Sequence, residues 1–161
     1  LVGRDRSPQV MFSGGTYSGH PASMLAAKIM MNYLVAHETE IYPRLAVLGE
    51  KTRQAIQKAF AEEGITVYCS GHNPEALPGS SMFMMHFPYQ ADAHLESPED
   101  WANPTVCDLT LSRKVLELAF LLEGVFLLHS HGAVSMAHTE ADIEVLTEAC
   151  QRVARRIRPY L

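Results

Sequence analysis

The longest apolar block lies between Pro21 and Ala36, where Met24, Leu25, Ile29, Met30, Met31, Leu34 and Val35 leave almost no polar face. A helix apolar nearly all round has to be covered on most sides. Residues 21–36 therefore read as a core helix, a subunit-contact helix, or both. Ile41, Leu45, Leu48, Thr52, Ile56, Ala59 and Phe60 then recur at helical spacing and predict a second helix over 39–63. Pro43 is tolerable near the start of that helix, and Gly64 is a good stop.

Period-two and turn signals follow. Ile65–Cys69 is a β-type run, and Ser70–Ser80 is rich in turn formers. Ser81–Phe87 predicts a strand apolar on both sides, as in a sheet interior. Three prolines and four acids between Pro88 and Pro104 predict an exposed loop. Val106–Glu123 reads as a third helix with a stripe of Leu109, Leu116 and Phe120, widened by Val115, Leu118 and Leu122 and stopped at Gly124. Val125–His129 and Ala133–Ala137 read as short strands about Gly132. Thr139 and Asp142 suit a capping box ahead of a last helix whose acids come early and arginines late, in agreement with the macrodipole. Residues 1–11 predict a loose lead-in, with one short strand near Val10–Phe12. The pattern is α+β: an antiparallel sheet of three to four strands backed by helices, behind a long apolar helix.

Composition narrows the function classes. The 161 residues carry a formal net charge of −5, which argues against nucleic acid as a general partner. Arg152, Arg155, Arg156 and Arg158 read as the polar face of the last helix. No apolar run reaches membrane-spanning length, and no basic-then-apolar leader is visible. Cys69, Cys107 and Cys150 are odd in number and form no CxxC pair, which suits free thiols in a reducing cytoplasm. The first residue is Leu1, as expected of a processed product or a piece of something longer.

The chemistry-bearing stretch is Ser13-Gly14-Gly15-Thr16-Tyr17-Ser18-Gly19-His20-Pro21. Glycines let backbone amides approach a ligand closely, Pro21 suits a first helical position, and a helix start attracts anions. A plain glycine-rich turn with a helix cap would look the same. Gly15 to Pro21 resembles, however, the Gly-Thr-Phe-Ser-Gly-Asn-Pro segment of class III pyridoxal-phosphate (PLP) aminotransferases. Ile41–Leu45 and Leu48-Gly49-Glu50 are similar to that family's next helix, and Ala137–Ile143 to the tail of its glutamate-1-semialdehyde aminomutase branch. The resemblance runs from about Phe12 to about Val153 and covers only the C-terminal part of such an enzyme.

The resemblance implies the small C-terminal domain of a fold-type I PLP enzyme over 37–161, preceded in 1–36 by the tail of the large cofactor domain with an interface helix. It implies a homodimer acting on a small amino-acid-like substrate. It also carries Gly15 and Thr16 over as contacts to the phosphate of the neighbouring subunit's PLP, with Ser18 and His20 beside them; His20 stands where the family has asparagine. The family's Schiff-base lysine lies upstream of the Gly-Thr segment. Lys28, Lys51, Lys58 and Lys114 all fall in ordinary helical pattern, so no catalytic residue is assigned and the chain alone is expected to be inactive. No arginine lies between Lys114 and Arg152, where many class III enzymes bind a substrate carboxylate, and Leu127–His131 departs from the branch's proline-containing segment.

Three other readings compete. His129 and His131, two apart on a strand, would point the same way and with His86 or His138 could ligate zinc or copper, against two ordinary loop histidines; no metal site is assigned. Cys107 as a nucleophile has no motif around it. A stand-alone, non-catalytic binding or dimerisation module that kept the fold is the alternative to an enzyme portion.

Overall fold

A computed structural model describes residues 15–72 and 79–161. The expected strand near Val10–Phe12, with Ser13 and Gly14, lies outside them, as does the middle of the 70–80 loop. The chain divides into two compact units, Leu1–Thr39 and Glu40–Leu161.

In the first unit, a turn leads into helix α1, Pro21–Ala36, with Pro21 in its first turn and His20 as N-cap. The cover expected for most faces of this helix is not supplied by the described residues. No residue of α1 is buried, and Met24, Ile29, Met31 and Val35 are exposed. At its end, the His37 N–H donates to the Tyr33 carbonyl at 3.1 Å, and the two rings stack.

Helix α2, Glu38–Ala61, starts one residue earlier than the pattern predicts and holds Pro43 inside its second turn. Its buried face carries Ile41, Leu48, Gly49, Thr52, Arg53, Ile56, Ala59 and Phe60. The helix ends as Gly64 requires: Gly64 sits at φ +76°, its N–H donates to the Ala61 carbonyl at 2.9 Å, and the Ile65 N–H donates to the Phe60 carbonyl at 3.0 Å. This is a Schellman closure, sealed by the burial of Ile65 and Phe60 in one cluster.

The sheet contains β1 (Tyr68–Ser70), β2 (Met82–His86) and β3 (His131–Ala133), antiparallel and in that order. β2 is the central strand, as its two apolar faces predict. Cys69 opposes Met85 on one side of it, and Phe83 opposes Gly132 on the other. Only the end of the 65–69 run pairs as strand, although Ile65 and Val67 are buried. The two strands expected at 125–129 and 133–137 are replaced by one at 131–133, because residues 128–131 form a tight turn instead.

Residues 88–104 are more than an exposed loop. Leu95 is buried, and a short helix α3, Pro98–Trp101, starts on a Ser97–Asp100 capping box. The third helix begins at Leu109 rather than Val106, because Cys107 bridges to Pro88. It contains a π segment, Leu111–Val115, followed by α4, Leu116–Leu122. The predicted stripe holds, with Leu116 and Phe120 fully buried and Leu109 half-buried, but the π turn explains why the residues expected to widen it do not. Leu111 and Leu116, five apart, are both buried, while Val115, Leu118 and Leu122 point outward. Gly124 closes α4 in the same way as Gly64 closes α2: Gly124 N–H to Leu121 carbonyl at 3.1 Å, Val125 N–H to Phe120 carbonyl at 2.9 Å.

The last helix, α5, Glu140–Ile157, is capped by the Asp142 carboxylate, which accepts from the Thr139 N–H at 2.7 Å and the Thr139 hydroxyl at 2.8 Å. Its inner face, Ala149, Cys150, Val153, Ala154 and Ile157, closes the core against Phe60, Met85 and Phe120. The late arginines pair with carboxylates rather than forming a free basic patch: Arg152 and Arg156 hold Glu123, and Arg155 and Arg158 hold Glu63. Among the described residues, no helix is long and apolar enough to cross a membrane.

Candidate functional site

The turn before α1 brings Gly15, Thr16, Ser18 and His20 within one loop. The Ser18 N–H donates to the Gly15 carbonyl at 3.0 Å, and the His20 N–H to the Tyr17 carbonyl at 3.1 Å. Gly15 sits at φ +130° and Gly19 at φ +73°, both left-handed conformations that side chains disfavour. A Cβ at Gly15 would also lie 3.2 Å from the Ser18 hydroxyl. All six residues from Gly15 to His20 are exposed. His20 makes no side-chain cap bond among the described residues; its ring meets Tyr17 edge-on at 6.2 Å. The loop therefore presents hydroxyl and amide donors at the N-terminal end of a 16-residue helix, a donor set suited to an anion.

Lys28 lies on α1 and Lys51 and Lys58 on α2, as expected, whereas Lys114 lies in the π segment rather than in an ordinary helical turn. Lys51 forms an ion pair with Glu140 at the start of α5.

In the second unit, the 128–131 turn holds the polar feature that the sequence pattern hid. His129 and Ser130 adopt φ +50° and +66°, left-handed conformations that cost a non-glycine residue about 1–2 kcal/mol each. Ser130 is fully buried; its hydroxyl donates to the Ser112 carbonyl in the π segment, and its carbonyl accepts from the Met85 N–H at 3.0 Å. One serine thus ties the centre of the sheet to the π turn. A buried serine between two histidines carries no sequence signal of its own. His129 consequently does not share a strand face with His131. The rings lie 6.4 Å apart, and His129 approaches the Glu117 carboxylate at 3.8 Å. His86 and His138, the partners a metal site would need, are engaged elsewhere. His86 bonds Ser70 at 2.7 Å, and His138 Nδ1 accepts from the Ser135 N–H at 3.0 Å. Among the described residues, no group of three or more His, Cys, Asp or Glu side chains could hold a metal ion.

Beside this turn lies a cleft of about 450 Å³ between Phe83, Gly124–Leu127, Gly132–Val134 and the start of α5, with His138 and Asp142 at its edge. Gly132 keeps it open, since a Cβ there would come within 2.7 Å of the Phe83 ring. The thiols are unsuited to nucleophilic work. Burial pushes Cys69 up to about 12 and raises Cys150 further, and burial followed by the nearby Asp100 charge raises Cys107.

Arg53 is the other residue the pattern hid. It is 4% exposed, and its guanidinium donates to the Ser80 carbonyl at 3.0 Å, the Met82 carbonyl at 2.8 Å and the Glu50 carboxylate at 2.9 Å. The Arg53 hydrogen bonds hold the Glu50 carboxyl below its usual range. Its position on the apolar stripe of α2 was the available signal.

No family model matches the chain. The chain is similar to the glutamate-1-semialdehyde 2,1-aminomutase of Halorubrum lacusprofundi, 29% identical over 157 residues, which span 83% of this chain and 33% of that protein. It is likewise similar to the enzyme of the same name from Akkermansia muciniphila, 28% identical over 86% of this chain and 30% of that protein. The chain thus spans about a third of the length of the curated relatives it matches, and the match fits a C-terminal portion. Among solved structures, an omega-transaminase from Sphaerobacter thermophilus superposes with a TM-score of 0.62 at 22% identity, covering 95% of this chain and 31% of that one. A transaminase with PLP bound superposes with a TM-score of 0.58 at 21% identity, covering 91% of this chain and 30% of that one. The fold is that of a PLP transaminase C-terminal domain.

Proposed function

We propose that this chain is the C-terminal portion of a PLP-dependent aminotransferase or aminomutase that moves an amino group on a small amino-acid-like substrate. The observation that carries the reading is the glycine-rich turn at Gly15–Pro21, feeding an apolar helix and then an α+β unit of transaminase fold, in the order the resembled enzymes use. The relatives named aminomutase support the branch.

The residues of the turn fit a phosphate. Gly15, at φ +130°, lets the backbone close on an anion, the Thr16 hydroxyl donates to a phosphate oxygen, and Ser18 supplies a further hydroxyl. These donors serve the cofactor of a neighbouring subunit in a homodimer, and the exposed apolar face of α1 is covered in that assembly. Bound PLP supplies an electron sink for amino-group chemistry; the residues of this chain position its phosphate and take no covalent part. None of Lys28, Lys51, Lys58 and Lys114 stands at the covalent position, which belongs to the preceding portion of the enzyme. Three buried free thiols are consistent with a cytoplasmic setting.

The test combines two measurements. PLP is added to the 161-residue chain and reduced with borohydride, and intact mass is read; no stoichiometric adduct at a single lysine is expected. The upstream reading frame is then sequenced, and a lysine-bearing cofactor domain is expected in frame. A single adduct abolished by changing one lysine, or a full-length product without that domain, would overturn the reading.

A further inference from the structure

Residues 89–106 leave the sheet and return to it through a narrow neck. The Tyr89 N–H donates to the Val106 carbonyl at 2.9 Å, and the Asp108 N–H to the Phe87 carbonyl at 2.8 Å. Inside the excursion, α3 carries Trp101, whose indole N–H donates to the Leu95 carbonyl at 3.2 Å. The indole thereby fastens the two limbs of the strap to each other. Its face lies on the ring of His86, with centroids 4.9 Å apart and planes at 30°. His86 belongs to the central strand, is 3% exposed, and bonds the Ser70 hydroxyl on β1 through Nε2 at 2.7 Å. The imidazole is therefore sandwiched between the sheet's β1 edge and the strap.

We propose that His86 is a proton-operated latch: neutral, it holds the Trp101 strap on the sheet, and protonated, it releases the strap while the helical core stays folded. The latch is a property of this unit alone and does not rest on the cofactor reading. A second proton would place a full charge in a site walled by the Trp101 indole, the Tyr68 ring and the Ser70 hydroxyl, with no carboxylate paired to the ring among the described residues. Burial accordingly pushes His86 down to about 4 from the ordinary 6.5. Attraction between an imidazolium and the indole face opposes release, but it is smaller than the loss of hydration in so closed a site.

Around His86 the charged and titratable groups are spread over β1, the strap and the neck. On β1, the Tyr68 ring is tilted against it at 6.1 Å. On the strap, the Asp100 carboxyl accepts from the N–H groups of Ser97 and Glu96, which hold it below its usual range. Glu99 is exposed, and His94 pairs with Glu96 at 3.2 Å in solvent. At the neck, the Cys107 thiol is raised and stays protonated. His94 is the histidine on the strap itself, and the test removes it.

Trp101 is the chain's one tryptophan, so its emission reports the strap directly. Emission and far-UV circular dichroism are followed from pH 7.5 to 3.5 in the full chain, in His94→Gln and in His86→Gln. The latch predicts a reversible red shift of Trp101 emission between pH 6.5 and 4, complete before the dichroism changes, kept in His94→Gln and lost in His86→Gln. Hydrogen exchange of the unmodified chain at pH 7 and 4.5 gives an arm that needs no variant. Amides of residues 89–106 lose protection at least tenfold beyond the intrinsic pH effect, while those of α5 do not. Emission that stays flat until the dichroism collapses, a red shift that disappears in His94→Gln, or uniform loss of protection across the strap and α5 would each overturn the proposal.

Discussion

Gly49 sits on the buried face of α2, where replacing glycine by alanine ordinarily stabilises a helix by about 1 kcal/mol. Here the opposite is expected. A Cβ at Gly49 would lie 2.2 Å from the Ser80 carbonyl oxygen, 3.0 Å from the Ser81 Cα and 3.1 Å from the Ser80 carbonyl carbon. The first contact is about 1 Å or more inside van der Waals separation. All three neighbours are backbone, and that backbone is held from three sides. Arg53 binds the Ser80 and Met82 carbonyls, the Ser80 hydroxyl accepts from the Met82 N–H at 3.0 Å, and the Val134 N–H donates to the Ser81 carbonyl at 3.0 Å. The clash must therefore be relieved by moving α2 outward, which loosens Leu48 and Ile56 in their clusters. Overpacking of this kind costs roughly 1–3 kcal/mol and more against rigid neighbours. Subtracting the helix gain leaves Gly49→Ala destabilised by about 2 kcal/mol. At a urea slope of about 2 kcal/mol/M, the midpoint falls by about 1 M, read by circular dichroism at pH 7.5. Gly124→Ala is the control: at φ +77° with nothing within 4 Å, it costs only the backbone conformation, about 1 kcal/mol. A Gly49→Ala midpoint equal to or above the parent's would refute the close approach of α2 to the 80–81 backbone.

Four further outcomes follow from the same contacts. Arg53→Met removes the donors to two carbonyls and takes the guanidinium from Glu50, leaving it only the Gln54 amide; we expect a loss of about 3 kcal/mol in thermal or urea unfolding, and a loss under 1 kcal/mol would show the clamp to be dispensable. Ser130→Ala should cost about 1–3 kcal/mol by stranding the Ser112 carbonyl, whereas Ser130→Gly should recover part of that by relieving φ +66°; equal losses in both would contradict the strain argument. The unfolded chain takes up a proton at His86 near pH 6.5 but the strap-closed chain only near 4, so the stability of the closed state is full above 6.5 and falls with pH by up to about 1.4 kcal/mol per unit between those values, a component absent from His86→Gln. In the parent enzyme, Thr16→Ala should weaken PLP binding about tenfold, the equivalent of one charge-assisted hydrogen bond, as read by fluorescence titration; unchanged affinity would remove Thr16 from the phosphate site.

Local rules in the sequence determined the punctuation of the fold. Pro21 starts α1, Gly64 and Gly124 close α2 and α4 by the same hydrogen-bond pair, Thr139 and Asp142 open α5, and the two-sided apolar run of Met82–His86 becomes the central strand. Each of these signals depends on residues within one turn or one strand, so neighbours in sequence suffice to set it. The Gly15–Pro21 turn was legible for the same reason.

What escaped the sequence was set by contacts across elements. The π turn at Leu111–Val115 rotates the helix by one residue and sends Leu118 and Leu122 to the outside, and no local periodicity encodes that choice. Its partner is Ser130, which lies eighteen residues away in sequence and binds the Ser112 carbonyl only once β3 has paired with β2. That pairing also turned the expected strand at His129 into a left-handed turn and parted the two histidines. Arg53 is buried on the inner face of α2 because the Ser80 and Met82 carbonyls, 27 and 29 residues away in sequence, satisfy its guanidinium. His86, weighed in the sequence as a possible metal ligand beside His129 and His131, instead lies under Trp101 and bonds Ser70. Backbone capping is local and therefore readable, whereas satisfying a buried polar group takes a partner that only the folded chain supplies.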